Sequence, residues 1–195
     1  MPQEFGLTPQ LSTTHQLLRV VKHINEGKNS NLATAAIYLG IAKTFDKVWM
    51  EGLIHKLISY KFPQYIIEII QSYLKNRHFT VLVKNSDSIP RKLQAGVPQG
   101  GILGPIIFVL FMNDIPQVRN IMISLYADDT AILSQGKTPD KTIVPLQNYL
   151  KNLAAWLVRW KIKLNVGKTE AILFNKKNDD WPEVKIYGTP IEWKK

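Results

Sequence analysis

Ile121-Met122-Ile123-Ser124-Leu125-Tyr126-Ala127-Asp128-Asp129-Thr130-Ala131-Ile132-Leu133 decides how the rest of the chain is read. A β-prone apolar run, two carboxylates side by side and a second apolar run spell strand, tight turn, strand. Two adjacent aspartates at a hairpin tip repel each other. A hard divalent cation such as magnesium relieves that repulsion, because carboxylate oxygens are its preferred ligands. Asp-Asp is also ordinary turn chemistry, since Asp hydrogen-bonds its own backbone and tolerates unusual φ/ψ. Taken alone the pair fits either reading, and the flanking sequence has to choose.

Upstream, residues 13–26 place Leu17, Leu18, Val21 and Ile24 at helical spacing, with Ser12 or Thr13 as N-cap. Residues 33–39 form a short, nearly continuous apolar stretch, the pattern of a buried strand, and run into Gly40-Ile41-Ala42-Lys43-Thr44-Phe45-Asp46-Lys47-Val48-Trp49. Residues 50–60 and 63–76 read as amphipathic helices, the first lined by Leu53, Ile54, Leu57 and Ile58, the second by Ile66, Ile67, Ile69, Ile70 and Leu74. Residues 79–83, a turn at 85–87 and residues 89–93 predict a hairpin. Its rim carries Arg77, His78, Lys84, Arg91 and Lys92, each readable as a solvated charge and together as a phosphate-facing surface.

Next comes Ala95-Gly96-Val97-Pro98-Gln99-Gly100-Gly101-Ile102-Leu103-Gly104-Pro105, a glycine-rich loop leading into a helix over 105–113. That helix is apolar all round, which predicts burial. Beyond the Asp-Asp hairpin, residues 141–163 read as a long helix with Leu146, Leu150, Leu153, Ala154 and Leu157 facing inward, and Pro145 as a kink or the true start. A turn at 164–169, a strand at 170–174 and a polar loop at 175–180 follow. A last hairpin runs over 184–187 and 191–193, with its turn at 188–190. This order describes an α+β sheet with helices on one face. Two of its strands could set the end of Leu39-Gly40 beside the Asp128 turn. Phosphoryl transfer needs that arrangement, with carboxylates from separate strands holding a pair of cations.

Composition narrows the classes. A chain of 195 residues fits one domain, with or without appendages, and can bury a real core. At 45% hydrophobic and 21% charged residues it is globular rather than disordered. A net charge of +10 points to phosphate, in nucleic acid or on an anionic membrane, or else to an inert basic surface. With no cysteine, a disulfide framework and a thiolate metal site are excluded. The opening MPQEFGLTPQ has no basic segment followed by an apolar one, so no secretory signal is read there. The longest apolar run, 102–112, is broken by Gly104 and Pro105 and is too short to cross a bilayer. No helix pairs a Lys/Arg-rich face with a broad aromatic one, which disfavours a membrane-surface role. The expectation is a soluble, intracellular protein of nucleus or cytoplasm.

Five phrases carry a resemblance: FGLTPQLSTTHQLL, IAKTFDKVW, AGVPQGGILGPIIFVLFMNDIP, LYADDTAIL and LNVGKTEAILF. In this order they resemble the reverse transcriptase domain of non-LTR (LINE-type) retrotransposons, most of all the jockey-like elements, and they cover nearly the whole chain. The resemblance implies a right-hand polymerase palm, a ferredoxin-like antiparallel sheet with helices on one face. On that template residues 1–33 are partial fingers and 34–175 mainly palm, with a fingers-like hairpin at about 79–93. Residues 176–195 begin the region leading to a thumb that the chain lacks, and no endonuclease segment precedes residue 1. The implied activity is RNA-directed DNA synthesis. RNA template, DNA primer and deoxynucleoside triphosphates are the partners, and magnesium is the cofactor, with manganese as a substitute.

The same resemblance assigns Asp128 and Asp129 to the catalytic metals. It assigns Phe45 to selection of deoxyribose, Gln99 and Gly100 to the incoming nucleotide, and Lys168 to proton donation toward pyrophosphate. Without these neighbours Phe45 reads as a core phenylalanine, Gln99-Gly100 as a loop and Lys168 as a solvated turn residue.

The departures are as informative. The first catalytic aspartate of the family pattern LDxAKAFD falls on Gly40, while Asp46 occupies the second, non-metal position. If the lost ligand supplies about 4 kcal/mol of metal catalysis, the rate falls roughly 10³-fold, so this copy reads as catalytically impaired. A basic residue expected at position 8 is Thr8, and the serine expected after PQG is Gly101. The alternative to an enzyme is a non-catalytic module binding RNA or RNA–DNA hybrid, or a decayed transposon fragment.

Overall fold

The computed structural model describes residues 13–41, 45–126, 129–174 and 181–194. In chain order the elements are α1 (Thr13–Asn29), β1 (Ala33–Gly40), α2 (Met50–Ser59), α3 (Gln64–Leu74), β2 (His78–Phe79), β3 (Leu82–Val83), β4 (Ser86–Asp87), β5 (Arg91–Lys92), α4 (Leu103–Met112), β6 (Ile121–Tyr126), β7 (Asp129–Gly136), α5 (Pro139–Arg159), β8 (Glu170–Phe174), β9 (Val184–Ile186) and β10 (Thr189–Lys194). Single 3-10 turns cover Phe45–Lys47 and Val166–Lys168. The chain divides into two compact units, one from 1–42 with 113–195 and the other from 43–112.

In the first unit the short apolar runs pair with one another. They form a six-stranded sheet in the order β6-β7-β1-β8-β10-β9. β1 lies between β7 and β8 and is antiparallel to both, with Ile37 opposite Ile132 on one side and Ala171 on the other. Buried on both faces, it reads as Ala-Thr-Ala-Ala-Ile-Tyr-Leu-Gly rather than as an alternating strand. The small residues at 33, 35 and 36 leave room for neighbours above and below, and all three are fully buried.

Each face has its own helix. Val20 and Ile24 of α1 pack with Ala36, Ala131, Leu133, Met122 and Phe174, and the Gln16 amide donates to Ser124 Oγ at 2.6 Å. On the other face Ile37, Ile123 and Ile132 are fully buried. There a Cβ built on Gly136 would lie 2.7 Å from Lys141 C and from Thr142 Oγ1 at the start of α5. α5 commits Leu146, Leu150, Leu153 and Leu157 to the core at zero exposure, about 1.5–3 kcal/mol for each such side chain. Its N-cap is Thr138, which accepts from Lys141 N. At the far edge of the sheet the Gln147 side chain of α5 accepts from Lys185 N at 2.7 Å and donates to Lys185 O at 2.8 Å.

The second unit is built from α2, α3, α4 and the small hairpin. α2 buries Gly52, Leu53, Lys56 and Leu57, and α3 buries Ile67, Ile70 and Leu74. Lys56 is 2% exposed, an unusual state for a lysine. Its Nζ donates to Phe111 O and lies 4.6 Å over the Phe111 ring. The charge thus meets the carbonyl end of α4, where the helix dipole favours a cation.

Several details differ from expectation. The sheet is mixed, because β10 runs parallel to β8, and α1 covers part of its second face. α5 starts at Pro139 and continues through Pro145. The turn of the small hairpin is Lys84-Asn85, both at positive φ, and that of the last hairpin is Tyr187-Gly188. Both loops are two residues long with positive φ throughout, a geometry that matches the twist of the flanking strands. α4 is only partly buried: Ile107, Phe108, Phe111 and Met112 face inward, but Ile106 is 48% exposed. Ile58 and Ile69 are likewise exposed. The N-cap position 12 and the loop 175–180 lie outside the described residues.

Candidate functional site

The first unit sets Gly40 directly opposite Asp129 across the β1–β7 ladder, and Asp129 also pairs with Tyr126. Asp128 lies outside the described residues, and of Asp129 only the strand position is described. The ladder still fixes one fact. The last residue of β1 meets the first residue of β7, so positions 40 and 129 share a face of the sheet.

Gly40 is tightly enclosed. Its N–H donates to Thr169 Oγ1 at 3.3 Å, and its carbonyl accepts from Asn165 N at 2.7 Å. Ile41 bridges to Leu164. Thr169 Oγ1 in turn donates to Asn165 O at 3.1 Å, which closes the turn on itself. A Cβ at position 40 would lie 2.5 Å from Lys168 Cβ and 3.0 Å from Lys168 C and O. No ordinary Cβ tolerates the first of these distances, and two of the three atoms are main chain. The absence of a side chain at 40 is therefore matched by a turn seated where that side chain would begin. Lys168 itself is exposed within its 3-10 turn.

Two adjacent carboxylates are a suitable donor set for a hard divalent cation. The strand position opposite Asp129 is a glycine. Among the described residues no three His, Asp or Glu side chains come together.

In the second unit the segment Phe45–Lys47 is tied to the glycine-rich loop. Val97 N donates to Phe45 O at 2.8 Å and Gly96 N to Val48 O at 2.9 Å. Gly96 sits at φ +86, and a Cβ there would lie 2.8 Å from Asp46 Cα and O. Both the left-handed conformation and the close approach require glycine. Arg77 braces the loop from behind: its guanidinium donates to Gly96 O, to Ala95 O at 3.5 Å and, through Nε, to Leu74 O at 3.2 Å. At the exposed end the Gln99 amide donates to Asp46 Oδ1 at 2.8 Å. Gly100 follows at φ +84 with open space on its Cβ side. Gly104 packs against Pro98 O so closely that a side chain there has no room. The half-buried Phe45 ring lies 4.5 Å from that of Phe108, tilted by 32°.

The sequence-predicted residues therefore fall into two groups. Phe45, Gln99 and Gly100 belong to the second unit, and Asp128, Asp129 and Lys168 to the first. Two contributors were not foreseen. Arg77 was grouped with the hairpin rim as a solvated or phosphate-facing charge, yet it is spent on three carbonyls. Its position just past the end of α3 was the available signal, because cations satisfy the last carbonyls of helices. Asp46 was read only as a non-metal position, and its bond to Gln99 spans a sequence separation that no local pattern reveals.

Comparison with known proteins agrees with this architecture. The family model described as reverse transcriptase (RNA-dependent DNA polymerase) matches residues 2–191. The chain is 38% identical to a probable RNA-directed DNA polymerase from transposon BS of Drosophila melanogaster, over 85% of this chain and 19% of that protein. It is 32% identical to the RNA-directed DNA polymerase from mobile element jockey of Drosophila funebris, over 95% of this chain and 21% of that one. It thus spans about a fifth of the length of the curated relatives it matches. Among solved structures, telomerase from Candida tropicalis in complex with a TWJ fragment of telomeric RNA superposes with a TM-score of 0.65 at 15% identity, over 92% of this chain and 32% of the telomerase. A truncated apo form of the same telomerase gives a TM-score of 0.64 at 16% identity, over 92% of this chain and 38% of that chain. At such identity the likeness is one of fold, a palm-like mixed α/β architecture. The chain belongs to the reverse transcriptase family, with relatives among the non-LTR transposon polymerases of Drosophila.

Proposed function

We propose that the chain is the palm-centred part of an RNA-directed DNA polymerase of a non-LTR retrotransposon, and that its two-metal nucleotidyl transfer is impaired. The observation that carries this reading is the pairing of Gly40 with Asp129. It puts a residue without a carboxylate at the strand end facing the Asp-Asp hairpin. Asp128 and Asp129 would hold magnesium or manganese, which when bound supplies positive charge to the reacting phosphate oxygens. With two ligands from one hairpin and none from β1, these carboxylates neutralise and fix the cations poorly. Phe45 bars a ribose 2′-hydroxyl. Gln99 and Gly100 meet the incoming deoxynucleoside triphosphate, and the open side of Gly100 permits close main-chain approach. Lys168 supplies a proton to the leaving pyrophosphate. RNA template and DNA primer are the macromolecular partners, and the net charge of +10 suits both. Nucleus or cytoplasm is the compartment this activity calls for.

The test is primer extension on an RNA template, with magnesium and then manganese, comparing the chain as it stands with Gly40→Asp. Little or no synthesis by the former is expected. Robust magnesium-dependent synthesis by the chain as it stands overturns the impairment. A second reading, a binding module for RNA or RNA–DNA hybrid, is favoured by the same Gly40. It requires that hybrid affinity survive Asp128→Ala and fall steeply as salt rises.

A further inference from the structure

We propose that Asp46 is a positioning residue, fixing which end of the Gln99 amide is offered to a deoxynucleoside triphosphate. This inference rests on the reading of Gln99 as a nucleotide-contacting residue and assigns a role to a neighbour that touches no substrate. A carboxylate only accepts hydrogen bonds, whereas a glutamine amide has a donating NH₂ and an accepting carbonyl. With Gln99 Nε2 held on Asp46 Oδ1 at 2.8 Å, the amide cannot flip without placing its carbonyl against a carboxylate. Oε1 therefore turns away from Asp46, and Gln99 presents its carbonyl acceptor, with the second N–H beside it, in one fixed orientation.

Stability does not explain this bond. Both residues are exposed, and a polar pair in water contributes little to folding. The surroundings keep it short nonetheless. Two main-chain bonds, Val97 N to Phe45 O and Gly96 N to Val48 O, fix the register of the loop against the Asp46 turn. Gly96 permits an approach that any side chain would block. Arg77 fastens the carbonyls of Ala95 and Gly96 behind it. The main chain thus sets the distance between Asp46 and Gln99 before the side chains meet, and little entropy is lost in making the bond.

The experiment is a titration of magnesium-complexed deoxynucleoside triphosphates into the full chain, followed by isothermal calorimetry. The variants are Asp46→Ala, Asp46→Asn, Gln99→Ala and the double alanine variant, each checked for an unchanged unfolding midpoint. Asp46→Ala is expected to weaken nucleotide binding roughly 3–10-fold, the range of one net hydrogen bond, and as much as Gln99→Ala does. The double variant loses no more than either single one, because both remove the same oriented amide. Asp46→Asn carries a donating NH₂ beside its carbonyl and so permits the flipped amide; its affinity is expected to fall between those of the unaltered chain and Asp46→Ala. If Gln99→Ala weakens binding while Asp46→Ala does not, or if the two losses multiply, the positioning role is wrong and the nucleotide role of Gln99 stands. If Gln99→Ala leaves the affinity unchanged, or the unaltered chain binds no nucleotide, the nucleotide role falls and the inference with it.

Discussion

The end of β1 and the glycine-rich loop have fared differently. At Gly40 the main chain takes its place in the ladder opposite Asp129 without a side chain, and the turn at 165–169 lies where a side chain would begin. At the loop, Asp46, Arg77, Gly96 and Gln99 are all present and joined by a connected set of short polar contacts. Strand register depends on burying the apolar side chains and on the ladder, and neither needs a carboxylate at a strand end. The loop has no ladder to hold it and depends on Arg77 and on two glycine-enabled approaches. The first region therefore holds its fold without any side chain at position 40, whereas the second draws on Arg77 to keep its shape.

The sharpest way to break this contrast is Gly40→Asp. With Lys168 Cβ 2.5 Å from the new Cβ and Lys168 main chain behind it, overpacking is expected to cost about 3 kcal/mol, read as a lower urea midpoint. A variant as stable as the parent would mean that the turn yields freely to a side chain at position 40. Arg77→Met comes next. It leaves the Ala95 and Gly96 carbonyls without their donor and is expected to cost about 2 kcal/mol. A change below about 0.5 kcal/mol, the usual range for surface substitutions, would show that the main-chain bonds alone hold the loop.

Thr169→Val removes the hydroxyl joining Gly40 N to Asn165 O and is expected to cost about 1 kcal/mol. By loosening the turn it should also reduce the penalty of Gly40→Asp, so the double variant is less destabilised than the two single effects added. The smallest effect is that of Gly101→Ser. Its Cβ would meet only Tyr73 Oη, at an ordinary 3.5 Å, so stability should stay within about 0.5 kcal/mol. A large loss there would place Gly101 among the loop's structural glycines.

Much of this was legible in the chain itself. The strands at 33–40 and 170–174, the helices α1 to α3 and the pairing of β6 with β7 all announce themselves through apolar runs and turn residues. Burial by period failed for α1, where Leu17, Leu18 and Val21 are exposed, and for α4. An all-apolar helix such as Leu103–Met112 does not reveal that Ile106 will face outward, because exposure depends on which neighbours the chain supplies. The failure at Lys56 is the converse, a charged residue at a core position made acceptable by Phe111 O and the Phe111 ring. Both are tertiary facts. In the candidate site, Gly40 was legible as a departure from the family pattern but not as a close approach. That required the register of β1 with β7 and the position of a turn more than a hundred residues away. The parallel pairing of β10 with β8 escaped for a similar reason, since no local pattern announces which strand a terminal hairpin will join.

The bonds of Gln147 to both main-chain groups of Lys185 have a consequence for association. β9 is the last strand of the sheet, and its outward N–H and C=O would otherwise act as a template for a strand from another molecule. A carboxamide delivered from α5 copies the donor and acceptor of such a strand and takes its place. Together with the shortness of β9 and the charge of Lys185, this carboxamide disfavours growth of the sheet at this edge by strand addition.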